Sequence, residues 1–209
     1  MSGRQRLTAE WPDWVWWILA STVGGISGFA LAMAILDLLG TRARPALAGI
    51  VVYALFWMGI GTGQWFVLRR RVPSAGYWIA ASAAGGVLTS AGIVIWPNPP
   101  NVVVGLIGIT ALLGLLQWLV LRRSVRQAGW WVLASPVGYG LGFLVVQALD
   151  SVLVGASVPE TAGLVIGSGI ASGTAAFVTG GVLVWLLSRT PPGHHVQERA
   201  EVRAQRKPG

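Results

Sequence analysis

Trp16-Trp17-Ile18-Leu19-Ala20-Ser21-Thr22-Val23-Gly24 is echoed in this chain by Tyr77-Trp78-Ile79-Ala80-Ala81-Ser82-Ala83-Ala84-Gly85. It returns as Trp130-Trp131-Val132-Leu133-Ala134-Ser135-Pro136-Val137-Gly138. A second motif alternates with the first: Gly61-Thr62-Gly63-Gln64-Trp65-Phe66-Val67-Leu68-Arg69-Arg70, then Gly114-Leu115-Leu116-Gln117-Trp118-Leu119-Val120-Leu121-Arg122-Arg123. A weaker third copy is Gly181-Val182-Leu183-Val184-Trp185-Leu186-Leu187-Ser188-Arg189. Alternating self-similarity of this kind marks a chain that uses one supersecondary unit several times. Each copy lies in a long apolar run, so the unit is a helical hairpin.

The runs are residues 14–36, 46–68, 77–96, 102–121, 130–149 and 161–187, nearly free of charge. About 20 residues at 1.5 Å each cover the roughly 30 Å hydrocarbon core of a bilayer. With 54% hydrophobic and 11% charged residues in 209, too little polar surface remains to coat a soluble core of this size. The expected fold is therefore an all-α polytopic membrane protein, with six transmembrane helices as three repeated hairpins in a pseudo-threefold bundle. The expected organisation is a cytoplasmic segment 1–11 and a membrane domain 12–189, with units 12–71, 72–124 and 125–189. A basic cytoplasmic tail, 190–209, is expected to be disordered. A two-helix unit returns the chain to its starting side, so successive units share an orientation about an axis along the membrane normal.

The net charge of +8 is an orientation signal once its residues are placed. Every lysine and arginine except Arg42 and Arg44 falls on one side of a six-crossing chain. An excess of basic residues marks the cytoplasmic side, which puts both termini in the cytoplasm and the protein in the inner (cytoplasmic) membrane. This placement leaves no basic patch for a nucleic-acid partner. The first run carries the same Trp-Ser-Gly pattern as the third and fifth, so it is expected to be a retained helix and not a cleaved leader, despite Ala30-Leu31-Ala32.

The recurring residues have a packing reading and a functional one. Ser21, Ser82 and Ser135 lie three residues before Gly24, Gly85 and Gly138, and Gly28, Thr89 and Gly142 follow four residues later. Such small-residue faces let helices approach closely. The sixth run has one small face with Gly163, Gly167, Ala171 and Ala175, and another with Gly169 and Gly173. Gln64 and Gln117 require partners at membrane depth, so each is expected to face another helix. Together Ser21, Ser82, Ser135, Gln64 and Gln117 are candidates for a polar path or for helix-interface contacts. Val184 at the third glutamine position denies any path a complete ring.

Trp65, Trp118 and Trp185, with Arg69, Arg70, Arg122, Arg123 and Arg189, are candidates for lipid headgroup contact. Trp14, Trp16, Trp17, Trp78, Trp130 and Trp131 are expected at the same interface as anchors. Asp37, near Arg42 and Arg44, is expected in a structural ion pair, and Asp150 ends the fifth run in a corresponding position. No cysteine is present, and both histidines, His194 and His195, lie in the tail. No metal site, phosphate loop or activated serine follows from the sequence, so no catalytic residue is assigned and a non-enzyme is expected. No cofactor is identified.

At the Gln-Trp-x-Val-Leu-Arg-Arg and Ala-Gly-x-Trp-x-x-Ala-Ser elements, the chain resembles multi-pass membrane proteins of cyanobacteria and Chloroflexi-type phototrophs, a group without an established activity. The likeness spans about 12–189. It implies the hairpin architecture and a role near an energy-transducing complex, and it supplies no catalytic residue. Three functions stay open: a scaffold or accessory subunit among other membrane subunits and anionic lipids; a small-solute channel or transporter; and a quinone- or carotenoid-binding protein.

Overall fold

Every apolar run forms one helix: α1 spans Trp11–Leu39, α2 Pro45–Leu68, α3 Gly76–Ile95, α4 Val102–Leu121, α5 Trp130–Gly155 and α6 Glu160–Ser188. The computed structural model describes residues 11–40, 45–95, 102–155 and 157–189, and no strand occurs among them. The expectations for residues 1–10, for Arg42 and Arg44 beside Asp37 and for the tail 190–209 lie outside the described residues. Helices are what an apolar chain must form without water, because each backbone N–H and C=O is then satisfied within its own segment. Local signals help set the ends. Pro45 opens α2 where its missing N–H costs nothing, and Asp13 and Glu160 place negative charge in the first turns of α1 and α6.

Helix direction follows from which residues share a core. Trp17, Trp78 and Trp131, near the starts of α1, α3 and α5, form one buried cluster with Leu68, Leu121 and Leu186 from the ends of α2, α4 and α6. Successive helices therefore run in opposite directions. Each packs against its neighbours in the chain, and α6 packs back against α1, so the six close into a ring. A second buried cluster of Trp57, Ile60 and Leu113 brings together α2 and α4, with Tyr139 of α5 packed against it. Two aromatic-rich clusters thus occupy the space inside the ring.

The connections at the first cluster are tight and alike. Val72 and Val125 are buried, and their N–H groups bond back to the carbonyls of Leu68 and Leu121 at 2.8 and 2.9 Å. Trp78 and Trp131 then bond to the carbonyls of Ala75 and Ala128 at 2.9 and 3.0 Å, which fixes where α3 and α5 begin relative to the preceding helices. An ion pair of 2.8 Å joins Arg71 to Asp13 at the same end.

Glycine sets how closely the helices of a pair approach. A Cβ on Gly24 or Gly28 would run into the backbone of Gly59 or Leu55 in α2. One on Gly138 or Gly142 would meet the backbone of Ala175 or Ala171 in α6. The small-residue faces read from the sequence are therefore used in α1–α2 and in α5–α6. In the α3–α4 pair, a Cβ on Gly85 would meet the side chain of Leu113 instead. The two small faces of α6 divide as well: Ala171 and Ala175 lie against α5, and Gly169 and Gly173 lie against Ile26 and Thr22 of α1.

Four described stretches are long and apolar enough to cross a membrane: Pro12–Leu39, Ala46–Leu68, Trp130–Asp150 and Glu160–Ser188. Within α4, Gly105–Leu121 is a shorter apolar stretch. Large apolar side chains such as Val23, Leu31, Leu133, Leu144 and Phe177 face outward, as they would against hydrocarbon. The glycine geometry predicts unequal costs. Gly24→Ala is expected to destabilise by about 1–3 kcal/mol, because backbone must move. Gly140→Ala, with nothing within 4 Å of its added carbon, is expected to lie between neutral and about 1 kcal/mol stabilising. Thermal unfolding of the two variants in detergent checks the contrast.

Candidate functional site

Of each aromatic pair near the start of α1, α3 and α5, the second member points into the ring and the first points out. Trp17, Trp78 and Trp131 are 0%, 0% and 1% exposed, whereas Trp16, Tyr77 and Trp130 are exposed. This corrects the expectation that all these tryptophans anchor the protein at an interface, since three of them are the centre of the bundle. Their rings meet edge to face, with centroids 6.1 Å apart for Trp17–Trp78, 5.7 Å for Trp17–Trp131 and 5.4 Å for Trp78–Trp131. Edge-to-face contact sets the positive ring edge on the negative face of its neighbour. Each such pair stabilises by about 0.5–1.5 kcal/mol beyond its buried area.

A buried indole N–H must find an acceptor, and all three do. Trp78 Nε1 donates to Gln64 Oε1 at 2.8 Å, and Gln64 Nε2 donates to Ser21 Oγ at 3.1 Å. Trp131 Nε1 donates to Gln117 Oε1 at 2.9 Å, and Gln117 Nε2 donates to Ser82 Oγ at 3.0 Å. The indole can only donate, so the amide oxygen must face it and the amide nitrogen must face the serine. Each glutamine therefore ties three consecutive helices together: α3 to α2 to α1, and α5 to α4 to α3. The glutamines are each 2% exposed and the serines at most 1%.

The third indole is satisfied differently. Trp17 Nε1 donates to Thr179 Oγ1 at 3.1 Å, and the threonine hydroxyl donates to the Ala175 carbonyl of its own helix at 2.9 Å. Thr179, and not Val184, is thus the α6 counterpart of Gln64 and Gln117. The register that aligned Trp185 with Trp65 and Trp118 is displaced from this one by more than a helical turn. A hydroxyl both accepts and donates, as the amide does, but its reach is shorter. Ser135 receives no glutamine and donates to the Trp131 carbonyl at 3.0 Å.

The five polar residues proposed for a path or an interface thus lie at helix interfaces. Ser21, Gln64, Ser82 and Gln117 form the two relays, and Ser135 packs where Gly114 of α4 approaches it. Beyond them, Trp57 fills the interior, with its ring 4.5 Å from Tyr139 and 5.4 Å from Phe56. Its Nε1 is buried without a hydrogen-bond partner.

The Trp/Arg candidates form a second set at the same end of the bundle. Trp65, Trp118 and Trp185 are partly buried against the first cluster. Arg69, Arg122 and Arg189 sit over their rings at 5.1, 5.2 and 4.6 Å. Arg70 and Arg123 are exposed. Among the described residues, no group of three or more His, Cys, Asp or Glu side chains could hold a metal ion. No family model, curated protein or solved structure matches the chain.

Sequence reading missed the central triad and Thr179. The signal for the triad was present, because Trp17, Trp78 and Trp131 each precede a serine by four residues and so share its helix face. Gln117→Leu is expected to cost about 1–3 kcal/mol, since it strands the Trp131 N–H in the interior. Adding Trp131→Phe removes that donor, so the double variant is expected to be more stable than the sum of the single losses. A double-mutant cycle of unfolding free energies in detergent measures the coupling; additive losses would contradict the relay.

Proposed function

We propose that the protein is a non-enzymatic scaffold or accessory subunit of a membrane complex, built as six crossings in three hairpins of like orientation about a pseudo-threefold axis. The reading places it in the cytoplasmic membrane with both termini in the cytoplasm. Its support is the packed interior: the triad and its relays tie Ser21, Gln64, Ser82 and Gln117 to one another and to the central indoles, so these candidates for a solute path are engaged in holding helices together. A body whose polar groups at the triad are satisfied within the bundle presents its remaining chemistry outward. Outward it offers an apolar circumference and, at one end, a row of arginines stacked on tryptophans, suited to anionic headgroups and to neighbouring subunits.

Two measurements test this reading. The chain has no cysteine, so single cysteines report sidedness directly. Pro73→Cys and Thr190→Cys are expected to react with an impermeant maleimide only after permeabilisation, and Asn98→Cys in intact cells. Labelling of all three from one side would contradict six crossings. Isolation from native membranes in mild detergent is expected to bring a stoichiometric membrane partner, whereas a lone monomer would count against the scaffold role.

One observation favours a second reading, quinone binding. The Trp57 N–H lacks an acceptor in an aromatic setting with Phe56 and Tyr139, and leaving it so costs about 1–3 kcal/mol. A quinone carbonyl would supply that acceptor. Organic extraction of the purified protein followed by an ultraviolet spectrum decides the matter, and an extract without quinone would exclude it.

A further inference from the structure

The hydrogen bonds of the three central indoles give a common register for α2, α4 and α6, with Gln64, Gln117 and Thr179 as equivalent positions. Two residues further along stand Phe66, Leu119 and Gly181. Phe66 is 51% exposed and Leu119 41%, so α2 and α4 each project a large side chain outward at this level. On α6 that side chain is missing. In its place a groove of about 460 Å³ opens on the outer surface between α5 and α6, lined by Trp130, Leu133, Val137, Val178, Val182 and Trp185.

The chemistry of the groove changes along its length. Its floor is aliphatic. Towards the α4–α5 connection it continues, through Trp130 and Leu133, into a hollow of about 330 Å³ bordered by Gln127 and Gly129. Trp130 and Trp185 meet edge to face across it, with centroids 6.3 Å apart. Arg189 lies over the Trp185 ring at 4.6 Å, which puts a cation beside the wall of the groove that Trp185 forms. The volume falls within the range of about 300–1,000 Å³ typical of small-molecule sites. A helix about 10 Å in diameter fills roughly that volume with a single turn, so the groove is too small to seat one. An apolar tail joined to an anionic head matches an aliphatic floor with a cation at the Trp185 edge.

We infer that this groove between α5 and α6 seats one acyl chain of an anionic phospholipid, with its headgroup beside Arg189. The site rests on the membrane-embedded reading above and gives its lipid contact a specific place. It is distinct from a diffuse belt of anchors, because the first and second hairpins carry Phe66 and Leu119 where the groove requires Gly181.

Native mass spectrometry of the full chain, released from vesicles of equimolar phosphatidylglycerol and phosphatidylcholine with matched acyl chains, tests the inference. The unaltered protein is expected to retain one phosphatidylglycerol in preference to phosphatidylcholine. Gly181→Phe, which supplies the side chain that α2 carries, is expected to reduce retention about tenfold or more, a factor that corresponds to one decade of affinity. Arg189→Gln is expected to keep the bound chain but lower the headgroup preference about fivefold. Val178→Phe fills the same groove from another position, should Gly181→Phe unfold. Equal retention of both lipids by the unaltered protein, or undiminished retention in a folded groove-filling variant, would overturn the site. Resistance of the same vesicles to alkaline extraction reads membrane insertion separately, so failure of the lipid site and failure of the embedded reading are distinguishable.

Discussion

Three indole rings meet edge to face inside the helical ring, and each must hand its N–H to an acceptor where water does not reach. That double requirement of ring geometry and donor satisfaction organises most of the structure. Association of helices in lipid gains nothing from removing apolar surface from water, because the competing solvent is as apolar as leucine. Specific packing and interhelical hydrogen bonds must hold the helices instead. The triad provides the packing, while Gln64, Gln117 and Thr179 provide the acceptors. Gly24, Gly28, Gly138 and Gly142 bring paired backbones close enough for short side chains such as Ser21 to be reached from the next helix.

The same requirement explains where copies of a motif diverge. Near the triad three large residues fit because their rings pack pairwise edge to face. At the level of Trp57 a single indole fills the interior, against Tyr139. On α6 the acceptor is a threonine that bonds into its own helix. Helices α1 and α6 are therefore joined by the Trp17–Thr179 bond and by the Trp14 Nε1 bond to the Phe177 carbonyl at 2.9 Å, whereas the glutamine relays cross the four interfaces from α1 to α5. The proposed lipid seat lies on the hairpin that contains this exception, where Gly181 withdraws the side chain that α2 and α4 present.

Much of the fold was legible in the sequence because its signals are local or set by length. The apolar runs gave helix bounds close to those observed, and Gln64 and Gln117 were correctly expected to face other helices. The limits of legibility are physical too. Tryptophan suits both a membrane interface and a dry interior that offers an acceptor, so composition could not divide Trp16 from Trp17. The serine four residues beyond Trp17 carried that information. In α6, the Trp185 and Arg189 pair ends the helix as Trp65 and Arg69 end α2, and this likeness drew the third copy into the wrong register. Burial and hydrogen bonding choose Thr179, because α6 continues past the level at which α2 stops. The end of a helix and its interior register are separate properties, and only the first is written in the terminal motif.

The three central indole N–H groups are hydrogen-bonded and buried, and the bundle depends on them. Solvent exchange of the indole protons, followed by nitrogen-15 NMR of the labelled protein in micelles, measures this directly. The account predicts slow exchange for Trp17, Trp78 and Trp131, and fast exchange for Trp16 and Trp130. Fast exchange at the three central indoles would show a wet, open interior and contradict it.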